Sequence, residues 1–223
     1  MTPLQIFIGY DSQETVAYHV LAHSILRHAT GPVSITPLVQ PTLRKAGLYT
    51  RERGPLESTE FSMTRFLVPY LSNYEGTSIF FDCDMLVQGD VYELVAQPFT
   101  TETVRCVQHD YTPKTTTKFL HQPQSAYPRK NWSSLMVFQN GFCQKLTPAY
   151  VNTATGLDLH RLTWADDVGT LPIEWNWLVG EYAPKWDAKC LHYTLGTPCF
   201  LDYATCDHSN LWWHEFALMR RPA

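Results

Sequence analysis

Between Leu4 and Val39 the chain runs through a short apolar stretch, an amphipathic stretch and a second apolar stretch, and that order restricts the fold more than any other feature. Leu4 to Gly9 (LQIFIG) reads as a buried strand closed by a glycine. Asp11 and Glu14, three residues apart, read as a capping pair that opens a helix running to about His28. Thr30-Gly31-Pro32 stops that helix, and Val33 to Val39 reads as a second strand. Strand, helix, strand predicts a parallel pair joined by a crossover, and so an α/β fold.

The rest of the chain extends the pattern. Residues 41 to 60 are polar and broken by Gly47, Gly54 and Pro55. A helix fits Phe61 to Tyr70, and strands fit Ser78 to Phe81, Val104 to Gln108, Leu135 to Phe138 and Lys189 to His192. Leu211 to Met219 reads as a short amphipathic helix. Residues 110 to 131, rich in Thr, Pro, Lys and Gln, form a long loop of the kind that is functional or disordered. There is no internal repeat, heptad or Gly/Ser linker. The 223 residues therefore predict one domain, 1–223, around a mostly parallel central sheet. In such sheets ligands sit beyond the carboxyl ends of the strands. Asp11, Asp82 and Asp84 all fall at such ends.

Several function classes are excluded. The net charge is −4, with no run of like charges, so no nucleic-acid footprint is expected. No apolar run reaches the roughly 18 residues of a membrane span, and the start lacks the basic and apolar regions of a secretory signal. The six cysteines show no C-x-x-C pair and read as reduced thiols, which predicts a cytoplasmic protein. His19 and His23 have zinc-ligand spacing on a helix, but no zincin partner stands nearby, so packing is the plainer reading.

The chemistry concentrates in Ile79-Phe80-Phe81-Asp82-Cys83-Asp84-Met85-Leu86-Val87. Two carboxylates buried between apolar runs are costly unless a positive group joins them. Oxygen ligands select a hard divalent cation, which could neutralise a diphosphate leaving group. A lone D-x-D is also compatible with a helix cap.

The segment resembles the D-x-D motif of GT-A glycosyltransferases, and its surroundings resemble family 8 of that class with its bacterial and viral relatives. Ile6-Phe7-Ile8-Gly9-Tyr10-Asp11 is similar to the family's first strand and base-binding loop. Thr64-Arg65-Phe66-Leu67-Val68-Pro69 is similar to its Y-R-L-x-x-P helix. Leu171-Pro172 with Trp175-Asn176 is similar to L-P-x-x-W-N, and Leu191-His192-Tyr193-Thr194-Leu195-Gly196 to the late strand whose histidine completes the metal site. The resemblance covers about residues 4 to 200 and implies a GT-A, Rossmann-like fold, with a nucleotide-binding half of about 1–110 and an acceptor-side half of about 111–223.

It implies transfer of a sugar, with retention, from a nucleotide-diphosphate donor such as a UDP-sugar to a glycan or other hydroxyl acceptor. Mn2+ or Mg2+ would be held by Asp82, Asp84 and His192. Donor contacts would come from Ile8, Gly9, Tyr10, Asp11, Arg65, Asp82, Cys83 and Gly196. The family's D-Q-D falls on Ala165-Asp166-Asp167, which makes Asp166 and Asp167 the candidate catalytic acids. Three departures stand out. Its first acid is missing there, the lysine expected after Gly196 is absent, and Asn-Ala-Gly is replaced by Trp132-Ser133-Ser134. Lys114, Lys118, Arg129 and Lys130 either close over a diphosphate or keep the long loop soluble, and Trp175, Trp177 and Trp186 either wall an acceptor site or pack. Two other readings stay open. One is a haloacid-dehalogenase-like phosphatase, with Asp82 as nucleophile and Asp84 as general acid. The other is a non-catalytic sugar- or nucleotide-binding protein on the same fold.

Overall fold

A computed structural model describes residues 2–54, 57–118, 120 and 128–220. The chain begins with strand β1 (Leu4–Tyr10), helix α1 (Thr15–His28), strand β2 (Val33–Val39) and short helix α2 (Gln40–Lys45). A 3-10 turn at Thr64–Leu67 leads into α3 (Val68–Leu71), followed by β3 (Thr77–Phe81), β4 (Met85–Val87) and β5 (Val104–Cys106). Then come β6 (Leu135–Gln139), α4 (Pro148–Thr153), α5 (Gly156–His160), β7 (Val168–Thr170), β8 (Trp177–Leu178), β9 (Cys190–His192) and α6 (Ser209–Met219).

A six-stranded sheet runs in the order β2-β1-β3-β6-β5-β7. β1 pairs in parallel with both β2 and β3, and β5 with β7, whereas β6 runs antiparallel to both its neighbours. The sheet is thus mostly parallel. The central strands carry apolar residues on both faces: Ile6, Phe7 and Ile8 are buried, as are Ile79, Phe80 and Phe81. That is the pattern of a sheet covered on both sides. α1 supplies part of the cover through Ala17, Val20, Leu21 and Ile25. A second, three-stranded sheet has the order β4-β9-β8 and shares a smaller core with α1 and α6, built from Val20, Leu86, Leu191, Tyr193 and Trp212. Between β3 of the large sheet and β4 of the small one stand only the three residues Asp82, Cys83 and Asp84.

Pairing directions fix which chain segments meet. β1 and β3 end at the same edge, where Ile8 stands beside Phe81. β6 begins at that edge, because Leu135 pairs with Phe81 and the Asp82 amide donates to the Ser134 carbonyl at 2.9 Å. β5 and β7 finish there too, with Cys106 beside Thr170.

Three expectations change. Asp11 and Glu14 do not form a capping box: Asp11 accepts the amides of Gln13 and Glu60, while the Glu14 carboxyl turns inward beside Cys83. The helix expected over Phe61 to Tyr70 is a 3-10 turn and a four-residue helix. Pro69 has no N–H to donate, and it fits at the helix start. Of the long loop, 119 and 121–127 lie outside the described residues.

Candidate functional site

At the common edge of the strands lies a cleft of about 670 Å³. Asp82 enters it from the end of β3, Asp84 from the start of β4 and His192 from the end of β9. Met85 pairs with His192 across the small sheet, which brings the imidazole beside the acidic pair. One ligand atom from each of Asp82, Asp84 and His192 lies within 4.8 Å of the others.

Two buried supports hold this triad. The Arg65 guanidinium stands 2.6 Å from Asp82 Oδ1 and donates Nη1 to the Ser133 carbonyl and Nε to the Ser62 carbonyl. It is itself buried, between the rings of Phe61 and Phe80. On the other side, Asn176 donates its amide to Ser134 Oγ at 2.8 Å, which leaves Asn176 Oδ1 facing His192 Nδ1 at 2.9 Å. An oxygen there can only accept, so His192 carries a proton on Nδ1 and turns Nε2 toward Asp84, 3.3 Å away; in the neutral ring that nitrogen would present a lone pair to a cation.

A lone pair facing carboxylates is repulsive unless something positive lies between them. The oxygens Asp82 Oδ1 and Asp84 Oδ1 are buried and have no hydrogen bond among the described residues; their basic neighbours sit at ion-pair distance but off the bonding direction. Burial pushes the Asp82 carboxyl up to about 6, against the pull of Arg65. Burial also raises Asp84, but His192 beside it outweighs that and holds the group below the usual carboxylate range. Two oxygens and one imidazole nitrogen, with a hydrogen bond fixing the imidazole from behind, fit a divalent cation. Glu14 is adjacent: burial first, then the charges of Asp84 and Asp11, raise its carboxyl well above the usual range.

The other expected site residues divide. Arg65 lines the cleft. Ile8 and Gly9 do not; Ile8 is fully buried, and a Cβ on Gly9 would fall 2.4 Å from the Phe61 ring, so both serve packing. Tyr10 bonds Thr15 through its hydroxyl, and Asp11 spends its two oxygens on the backbone amides of Gln13 and Glu60. Cys83 is buried between the carboxylates with its thiol toward Glu14, and Gly196 closes a turn onto Tyr193. Asp166 and Asp167 stand at the opposite edge of the sheet. They precede β7, and Asp167 accepts from Thr101 and Thr103 at the start of β5. They are exposed and remote from the triad. In the phosphatase reading, Trp164-Ala165-Asp166-Asp167 would imitate a late acidic motif, and its two acids lie outside the cleft. Trp175 packs in the core, Trp177 and Trp186 lie outside the cleft, and His23 binds Glu215.

Residues not foreseen occupy the cleft wall instead. His160, from the end of α5, bonds Ser133 Oγ at 2.8 Å and packs edge-on against Phe66. Burial first, then Arg65, Arg51 and Lys130, lower it to about 3, so the ring is neutral. Arg51, Glu57 and Arg161 complete that side, and Lys118 and Lys130 line the cleft from the long loop. His160-Arg161 lies only five residues before the Asp166-Asp167 pair, and a basic couple between apolar residues was the one available signal.

The topology and this site define a GT-A fold. No known family profile matches the chain. Among solved structures, the apo glycosyltransferase GlyE of Streptococcus pneumoniae superposes with a TM-score of 0.65 at 13% identity, over 98% of this chain and 62% of that one. The bifunctional glycosyltransferase WbbM gives 0.64 at 16%, over 97% and 50%. The galactosyltransferase LgtC, solved with donor and acceptor sugar analogues, gives 0.60 at 9%, over 99% and 98%. The chain thus spans about half of WbbM and less than two thirds of GlyE. In sequence it is 47% identical over 222 residues to Protein CDI of Arabidopsis thaliana, covering 96% of this chain and 86% of that protein. The chain belongs to the CDI protein family.

Proposed function

We propose that this protein is a metal-dependent glycosyltransferase that moves a sugar from a UDP-sugar to a hydroxyl acceptor, with retention of configuration. The observation that carries the reading is the cluster of Asp82, Asp84 and His192, whose two carboxylate oxygens and imidazole nitrogen converge within 4.8 Å at the strand ends of a GT-A fold. A manganese or magnesium ion held there supplies Lewis-acid stabilisation to a diphosphate leaving group. The protein's own residues set the geometry. Arg65 fixes Asp82, Asn176 fixes His192, and the buried Cys83 anchors the turn between the two carboxylates. Uridine as the base and retention as the outcome rest on the family 8 resemblance, and a cytoplasmic location on the sequence.

Outside the triad, Glu57 is the only carboxylate lining the cleft among the described residues, and its Oε1 accepts the Gly54 amide. The family 8 resemblance implies that a phosphate oxygen of the departing diphosphate takes the acceptor's proton. A thermal-shift panel of UDP, GDP and ADP, with and without Mn2+, tests the reading. UDP with Mn2+ should raise the Tm, and neither alone should match it. The Asp84→Ala variant should keep its fold and lose both this response and donor hydrolysis. A UDP response independent of metal, or full activity in that variant, overturns it. Donor binding without hydrolysis or transfer would support the non-catalytic alternative.

A further inference from the structure

The cleft extends past the triad to a second group of polar side chains that the metal site does not use. From Arg65 the chain of contacts runs through the Ser133 carbonyl and hydroxyl to His160, and Arg51 and Lys130 lie close enough to His160 to lower its proton affinity. At this end Arg51 donates Nη1 to the carbonyls of Val151 and Ala154, which locks the guanidinium plane. Its Nε is buried without a hydrogen bond, 3.9 Å from Glu57 Oε1. Arg161 Nε and Glu57 Oε2 are likewise buried and unpartnered, and Glu57 is only 7% exposed. Buried polar atoms without partners are uncommon and costly in a folded protein. Two donors and one acceptor left open on the wall of one cleft are what a polar ligand would satisfy.

Charge narrows the ligand further. Among the described residues, five cations line the cleft, namely Arg51, Arg65, Lys118, Lys130 and Arg161, against three carboxylates, Glu57, Asp82 and Asp84. A divalent cation and a diphosphate cancel one another. The wall therefore keeps a surplus of two positive charges, concentrated on the side away from the triad. Glu57 offsets only one of the two guanidinium groups there. Guanidinium groups with fixed planes suit carboxylate or phosphate oxygens.

We propose that the Arg51–Glu57–Arg161 end of the cleft is the acceptor subsite and that the acceptor carries an anionic group, a sugar carboxylate or a sugar phosphate, held by the guanidinium groups of Arg51 and Arg161 that line the cleft. The Glu57 carboxylate accepts a neighbouring hydroxyl of the same sugar. This rests on the glycosyltransferase reading for the name of the subsite, but its test does not depend on turnover. Glucuronate, glucose 6-phosphate and glucose are titrated into the protein by ligand-observed NMR, with and without UDP and Mn2+. At least one anionic sugar should bind about tenfold more tightly than glucose, and whichever does identifies the anion. Arg161→Gln and Arg51→Gln should bring that preference to within about threefold. Glu57→Gln, which keeps the acceptor atom for the Gly54 amide, should strengthen anion binding several-fold. That variant decides the matter if either arginine variant fails to fold. Equal affinities for charged and neutral sugars, no binding by any of them, or a preference that survives Arg161→Gln and does not rise in Glu57→Gln overturns the proposal. Failure of UDP to bind would count against the glycosyltransferase reading alone.

Discussion

At the scale of single residues, the site depends on side chains that never face the cleft directly. Asn176 is fully buried, yet it sets which nitrogen of His192 is free to coordinate. Asn176→Ala should weaken Mn2+ binding about 10- to 100-fold, as loss of a hydrogen bond behind a metal-ligating histidine does. Titration of Mn2+ by electron paramagnetic resonance reads this directly, and unchanged affinity in a folded variant would remove Asn176 from the site. Asp82 and Asp84 stood out in the sequence as acids at the end of an apolar strand, whereas His192 drew attention only through its likeness to the family's late strand. The sequence did not show Arg161 or Glu57, which lie on irregular segments without periodicity. It misdirected attention to Asp166 and Asp167, because a motif's order along the chain does not say at which end of a strand the motif falls. Here those acids precede β7, which runs in the same direction as β5 and ends beside it at Thr170, so they lie at the far edge.

At the scale of elements, strands and long helices were legible and short irregular pieces were not. α1 ends at His28 as the Thr30-Gly31-Pro32 stop predicts, and α6 matches its amphipathic signal to within two residues. The direction of β6 was not legible, since an apolar run reads the same from either end. The two long helices are joined by one buried acid. Glu215 accepts from Arg27 at 2.6 Å and faces His23 Nδ1 at 2.5 Å. Burial raises the Glu215 carboxyl, but the hydrogen bonds from Arg27 and His23 outweigh it, and the group stays below its ordinary range. A depressed carboxylate contributes stability above its unfolded value and loses it as pH falls through the folded one. Glu215→Ala should cost about 2 kcal/mol near neutral pH, measured by urea unfolding, and much less in acid. An equal loss at pH 7 and pH 3 would show that packing, not charge, joins α1 to α6.

At the scale of the whole molecule, the same linkage predicts a second acid sensitivity of different origin. His160 is neutral in the fold, lowered to about 3 by burial and three nearby cations. Its folded value lies below the unfolded one, so its contribution is complete above about 6.5 and is lost as pH falls toward 3. Between pH 7.5 and 5 the protein should lose about 1 to 2 kcal/mol through this group, an amount absent in His160→Gln. Urea midpoints at the two pH values check it, and identical losses in both proteins would refute it.

The passage of the chain from the six-stranded to the three-stranded sheet through Asp82, Cys83 and Asp84 has a mechanical consequence. One carboxylate belongs to each sheet, and His192 belongs to the smaller one. A ligand that grips all three therefore braces the two sheets where β3 hands over to β4, in addition to helix α1, which packs on both, and the β4–β5 and β7–β8 connections. Occupancy of the site is then also a state of the architecture: amides of β4 and β9 should exchange more slowly whenever the joint is braced, and the smaller sheet should be the first part to loosen when it is not.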